Sequence, residues 1–128
     1  YHKINCIEIK DLPSGEDEFL NQKVIDLESE AILKNIQKDD DVILLELKGK
    51  ELTSIQLAHR IQESFNQSYK NCVFVIGGSL GVNETLRSRA NTLWKLSSNT
   101  FPHGLVRLLI VEQIYRSFRI LNNHSYHK

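Results

Sequence analysis

An α/β domain built on a parallel sheet is the fold this sequence predicts, and three observations carry it. Val42-Ile-Leu-Leu-Glu-Leu47 is a nearly continuous apolar run of strand length, as expected for a strand covered on both faces. Val73-Phe-Val-Ile76 is a second such run, and it breaks into Gly77-Gly-Ser-Leu-Gly81. Segments with helical apolar spacing lie between and beyond these runs, so that strands and helices alternate.

Taken in order, residues 3–10 read as a strand, because Ile4, Cys6 and Ile7-Glu8-Ile9 give an imperfect alternation. Asp11-Leu-Pro-Ser-Gly15 and the acids after it make a solvated turn or flexible loop. From Phe19 to Ile36 the spacing is helical, with Phe19, Val24, Leu27, Ala31 and Ile32 on or near one face. Asp39-Asp-Asp41 ends that helix. The Val42 run follows, and Gly49 breaks it. Thr53 or Ser54 caps a helix carrying Leu57, Ala58, Ile61 and Phe65. After the Val73 run come a short helix around residues 84–90 and a strand at residues 93–96. A long helix then runs from about Leu105 to Leu121, with Pro102 suited to its first position. The expected order is β-α-β-α-β-α-β-α with helices on both sheet faces. No linker or repeat divides it, so residues 1–128 read as one domain.

At 41% apolar and 25% charged residues, the composition is that of a folded globular chain. No apolar run approaches the roughly 20 residues of a membrane span, and the opening has no signal-peptide pattern. Cys6 and Cys72 each lie in an apolar, strand-like stretch, with a spacing that fits neither a zinc site nor a disulfide framework. Both are expected to be buried free thiols of a reducing cytoplasm, and no metal site is expected. A net charge of zero argues against strong non-specific binding to nucleic acid. The distribution is uneven, however. Residues 1–71 hold nine Lys/Arg against fourteen Asp/Glu, a net of −5; residues 72–128 hold seven against two, a net of +5, with three of the five histidines. A basic C-terminal half offers a local patch to RNA or phosphate, although solvated charge on unrelated faces gives the same count.

The loop Gly77-Gly-Ser-Leu-Gly81 stands where a nucleotide-binding turn would, and glycine lets backbone approach a ligand closely. Its order is G-G-x-x-G, not the dinucleotide pattern G-x-G-x-x-G, and no acid lies about 20 residues on to hold a ribose. No Gly-Lys-Ser/Thr follows either, so a phosphate-binding P-loop is excluded and a plain tight turn stays open. Leu96-Ser-Ser-Asn-Thr-Phe101 before Pro102 is a second polar loop, or an ordinary helix entry. The last helix has almost no wholly polar face in its first three turns. A helix apolar all round is buried all round, and a chain of this size has little to cover every side, which points to a partner subunit. Glu112 and Arg116 stand i, i+4 in the favourable orientation. A surface ion pair has that spacing too, but charges among so many apolar neighbours are costly unless paired or bound to a ligand. The final His124, Tyr126, His127 and Lys128 form either a frayed end or a cap on an active site.

Together, Phe74-Val-Ile-Gly-Gly-Ser-x-Gly81, Thr100-Phe-Pro-His103, Val106-Arg107, Glu112-Gln-x-Tyr-Arg116 and Asn123-His-Ser-Tyr-His-Lys128 resemble the RlmH family of SPOUT-class methyltransferases. The resemblance covers essentially the whole chain and is strongest from residue 73 onward. It implies S-adenosylmethionine as methyl donor, transfer to N3 of a pseudouridine in large-subunit (23S) ribosomal RNA, a homodimer and a C-terminal trefoil knot. The donor-binding positions would be Leu45, Gly77, and Leu96, Ser97, Ser98, Asn99, Thr100 and Phe101. His103, Arg107, Glu112, Arg116, Tyr126 and His127 match the polar surroundings of the family's active site. Family members begin with a further strand and helix ahead of the position matching Tyr1, so the chain is expected to lack that first unit.

The chemistry suits these residue types. Methyl transfer from a sulfonium needs in-line approach and a nucleophile stripped of its proton, with little covalent help from protein. The N3 proton of a pseudouridine is an imide proton, so a nearby cation or a histidine base (His127 or His103) favours its removal. Arginines suit RNA phosphates. A non-catalytic, dimeric RNA- or ribosome-binding remnant is the alternative that the missing first unit suggests. A nucleotide-cofactor oxidoreductase is disfavoured by the glycine order.

Overall fold

The computed structural model describes residues 3–127. Helix α1 (Glu18–Leu33) is followed by strand β1 (Asp40–Glu51), helix α2 (Ser54–Asn66) and strand β2 (Asn71–Val75). Helix α3 (Glu84–Arg89), strand β3 (Thr92–Lys95) and helix α4 (His103–Leu121) complete the order. The sheet has three parallel strands in the order β2-β1-β3.

Alternation along β1 explains why helices cover both faces. Val42 and Leu44 point into one apolar cluster with Val75, Val82 and Leu86, against which Ile32 and Leu33 of α1 pack. Ile43, one residue out of phase, points into the other with Leu57, Ile61, Trp94 and Ile110. Each fully buried aliphatic side chain of this kind contributes about 1.5–3 kcal/mol. Local chemistry sets the helix starts. Asp17 accepts from the Phe19 and Leu20 N–H groups at 2.9 and 3.3 Å, and Thr53 and Gln56 form a reciprocal capping box on α2. Asn83 caps α3 by accepting from Leu86 N–H at 3.0 Å. At α4, Pro102 takes the cap position itself, one residue earlier than the sequence suggests, with no side-chain bond.

Four further expectations need correction. Residues 3–10 form no strand: Ile4 and Ile7 are exposed, and neither edge strand of the sheet pairs with them. An alternating pattern specifies a strand only where a neighbour supplies hydrogen bonds, so the described residues form three strands and their first element is a helix. Cys6 is therefore exposed, and Cys72 is half-buried, its thiol pushed up by burial. Gly49 does not end β1. The pairing with β3 shifts between Leu45 and Lys50, both of which stand opposite Trp94. A Cβ on Gly49 would lie 2.5 Å from the Leu93 carbonyl, so glycine lets the two backbones pass. Finally, Phe19 and Leu27 face solvent, because α1 turns Val24, Ile32 and Leu33 inward.

At the N-terminal edge of the sheet, the fully buried Asp41 carboxylate is paired on both oxygens by Arg60 at 2.6 Å. Ser64 also donates to Asp41, and Arg60 Nε donates to Thr92 at 2.9 Å. Burial works to raise the Asp41 carboxyl, but the Arg60 and Ser64 hydrogen bonds outweigh it and hold it below its usual range. This network ties β1, α2 and β3 together.

Candidate active site

Parallel strands deliver their carboxyl ends to one edge. Leu44 stands opposite both Val75 and Leu93, and Leu45 opposite Trp94, so Gly77 and Leu96 follow the ends of β2 and β3 on either side of β1, at the level where Leu45 lies within β1. Open α/β sheets bind ligands in the crevice at that edge. Leu45, Ile76 and Leu96 are half-buried and pack against the cluster under α2 and α4. Ser97 and Phe101 are half-buried, whereas Ser98, Asn99 and Thr100 are exposed. Asn99 N–H donates to Ser97 Oγ at 3.0 Å, which curls the loop. Apolar walls with polar loop groups above them suit an adenosyl group, whose faces are apolar and whose edges bond to backbone. The glycine turn closes through Gly81 N–H to Gly78 C=O at 3.0 Å. The positive φ of this turn, +91°, is at Gly81 and not at Gly77. At Gly77 the constraint is steric: a Cβ would lie 2.7 Å from Val82 Cγ1.

The six polar residues singled out from the sequence divide into two groups along α4. His103 is the first residue of the helix, exposed and directly after the 96–101 loop. Arg107, one turn on, reaches back to the amino-terminal segment, 3.5 Å from Glu8 and 3.8 Å from the Cys6 sulfur. The second group is a contact network. Arg116 donates to Glu112 at 2.7 Å, and that hydrogen bond raises the guanidinium further above its ordinary value. Arg116 Nη1 lies 3.1 Å from His127 Nδ1, and its guanidinium covers the Tyr126 ring at 4.7 Å. Tyr126 in turn meets Tyr115 edge to face at 5.0 Å and points its hydroxyl at Glu112, 3.5 Å away. The tail thus folds back on α4 through residue 127; Lys128 lies outside the described residues. Arginine has no acceptor, so His127 Nδ1 accepts and the ring proton sits on Nε2.

At 1.5 Å per residue, Arg116 is about 20 Å along the helix from His103. Arg107 and Glu112, the nearest members of the two groups, are about 8 Å apart along it, and among the described residues no side-chain contact joins the groups. The outward face of α4 bears Leu105, Leu108, Val111 and Tyr115, all exposed. The helix is apolar all round, as the sequence indicates, but only its Ile110 and Ser117 face is buried within the chain. A cavity of about 810 Å³ lies elsewhere, between the carboxyl ends of α2 and α4 and the start of β2, lined by residues such as Phe65, Lys70, Cys72 and His124. It contains none of the donor-binding or active-site positions that the resemblance implies. Among the described residues no group of three His, Cys, Asp or Glu side chains is placed to hold a metal, and no helix is long and apolar enough to cross a membrane.

The family described as "Predicted SPOUT methyltransferase" matches residues 1–127. The chain belongs to the SPOUT methyltransferases. Within them its relatives are those of the RlmH family. It is 45% identical to a putative ribosomal RNA large subunit methyltransferase H of Methanococcus vannielii, over 100% of this chain and 82% of the relative. The ribosomal RNA large subunit methyltransferase H of Finegoldia magna is likewise 45% identical, over 98% of this chain and 80% of that protein. The protein of the same name from Ureaplasma urealyticum is 48% identical over 85% of this chain and 69% of its own length. Membership in the SPOUT methyltransferases implies a methyl donor.

Sequence reasoning missed the Asp41–Arg60–Ser64 network and the buried Glu28 of α1. Asp41 looked like the last of three helix-ending acids, and nothing in the order of residues set it apart from Asp39 and Asp40.

Proposed function

We propose that this protein is a cytoplasmic, S-adenosylmethionine-dependent methyltransferase that modifies N3 of a pseudouridine in large-subunit (23S) ribosomal RNA and works as a homodimer. The residues form one methyltransferase domain, and the segment after β3 carries the trefoil knot that the family resemblance implies. The observation that carries the reading is that Gly77 and the 96–101 loop follow the carboxyl ends of β2 and β3 on either side of β1, which bears Leu45, in a chain whose relatives bear the methyltransferase name. The bound donor supplies an electrophilic methyl group on a sulfonium.

Leu45, Gly77, Leu96, Ser97, Ser98, Asn99, Thr100 and Phe101 hold the donor: half-buried apolar side chains exclude water, and loop backbone meets the polar edges. His103, Arg107, Glu112, Arg116, Tyr126 and His127 serve the RNA and the proton of the nucleophile. Arg116, fixed by Glu112 and Tyr126, presents positive charge that stabilises an imide stripped of its proton, which is electrostatic stabilisation by a preorganised group. His103 has a freer ring and is the better base of the two histidines, since His127 already accepts from Arg116.

The separation of the two groups along α4 favours a site shared between protomers. Pairing two copies of α4 antiparallel through the Leu105, Leu108, Val111 and Tyr115 stripe would lay the terminal cluster of one protomer beside its partner's donor loops. It would also cover the exposed apolar side chains. The deciding experiment is incubation with labelled S-adenosylmethionine and ribosomes carrying the pseudouridine but lacking its methyl group. Label on the N3 position is the expected result; label on no RNA base would sink the reading. Gly77→Val should lose donor affinity, and because Val82 stands against that position, its melting temperature must be measured alongside.

A further inference from the structure

The glycine turn after β2 leans on a carboxylate. Glu28 of α1 is 8% exposed, one of few charged side chains in the interior. Its Oε2 accepts from Leu12 N–H at 3.1 Å. Its Oε1 stands 2.5 Å from where a Cβ on Gly78 would be, closer than real side chains approach, so the carboxylate fills the space that a side chain of residue 78 would occupy. Two neighbours on the same helix hold the far end of the loop. Ser29 Oγ accepts from Asn83 N–H at 3.0 Å, and Asp26 Oδ1 accepts from Asn83 Nδ2 at 3.1 Å. Between these supports the turn closes on itself through Gly81 and Gly78.

Burying a carboxylate is costly unless its contacts return the loss, and among the described residues the Glu28 carboxylate accepts one hydrogen bond, from Leu12. A helix facing a loop only to fill space would be served by Leu or Met at this position. We propose that Glu28 is a positioning residue for the methyl donor: it sets the backbone path of Gly77 and Gly78, and through them the place where the donor lies. This rests on the reading that the donor binds at this turn. Gly78 has no positive φ, and Glu28 Oε1 stands where its side chain would begin. A methyl group at 78 would displace the Glu28 carboxylate, the far end of a flexible side chain, so the two positions are coupled.

The test is S-adenosylmethionine affinity by calorimetry on the unaltered chain, Glu28→Ala, Gly78→Ala and the double variant. Each single change should weaken binding about tenfold, part of the roughly hundredfold that a 1 Å misplacement can cost. The double variant should bind no worse than Gly78→Ala, because removing the carboxylate makes room for the methyl group. Glu28→Gln, of nearly the same shape, should stay within about twofold of the unaltered chain. In turnover, Glu28→Ala should raise KM for the donor and leave kcat and melting temperature near the unaltered values. Losses that multiply in the double variant, or a Glu28→Ala chain with unaltered affinity, would overturn the proposal. If Gly78→Ala does not fold, the comparison is read as recovery of folded, donor-binding protein on adding Glu28→Ala, and no recovery overturns it. An unaltered chain that binds no S-adenosylmethionine would instead refute the donor reading itself.

Discussion

The Asp41–Arg60 and Glu112–Arg116 pairs have nearly the same separation, 2.6 and 2.7 Å, in very different surroundings. Asp41 is fully buried, its two oxygens both taken by Arg60 and one shared with Ser64. Glu112 and Arg116 are about a quarter to a third exposed, on the outward side of α4, and Arg116 also carries Tyr126 and His127. The first pair joins elements that are far apart in sequence, so breaking it leaves a desolvated charge within the fold. The second lies within one helix and gathers side chains of the tail, where water can replace a lost partner. Distance alone does not say what an ion pair is for. Burial and the identity of the remaining neighbours do.

The largest expected effect comes from the buried pair. Arg60→Ala strands the Asp41 carboxylate and should cost about 3–5 kcal/mol of stability, read as a drop in the denaturant midpoint. A loss under about 1 kcal/mol would place this pair with ordinary surface pairs. Acidity gives the same contrast without mutation. The folded-state carboxyl of Asp41 is lowered from 3.8, so its contribution is fully present above that value and is lost as pH falls through the lower, folded-state value. Asp41→Asn should flatten the stability profile in that acid window and leave the slope near neutrality as it was.

The exposed pair should show the opposite signature. Removing residues 126–128, or replacing His127 by Ala, should lower methyl transfer by about a hundredfold, the scale of a lost positioned acid–base or donor group, while melting temperature and donor affinity change little. That is the pattern of an interaction realised mainly in the transition state. Full-rate methylation of ribosomes by the shortened chain would return the tail to a purely structural role.

Between these lies the outward stripe of α4. Leu108 is 63% exposed in the single chain and Ile110 is 3% exposed. Leu108→Asp should therefore yield folded monomer, and Ile110→Asp should unfold the chain, when sedimentation is compared with circular dichroism. Folded dimer from Leu108→Asp would exclude this face as the interface. The smallest effect concerns the thiols. Cys6, exposed, should be alkylated at once under native conditions, and Cys72, whose burial raises its thiol, only slowly or on unfolding. Equal rates by mass spectrometry would contradict that ordering.

The elements around the candidate crevice were largely legible in the residues because they depend on local grammar. Apolar runs of strand length announce β1 and β2, and Thr53 announces the start of α2. The Glu112–Arg116 spacing announced a real pair. What the order of residues determined, then, was which segments become elements, in what alternation, and which polar groups stand on α4. Tertiary structure decided whether those segments found partners. Residues 3–10 carry a strand pattern with no strand beside them, Gly49 continues β1 because β3 passes close by, and Asp41 acquires its role only when α2 lays Arg60 over it. The same holds for Glu28, which meets Gly78 across 50 residues of chain. Local preference acts through neighbours along the chain, whereas pairing, burial and exclusion of space act between segments that sequence separates.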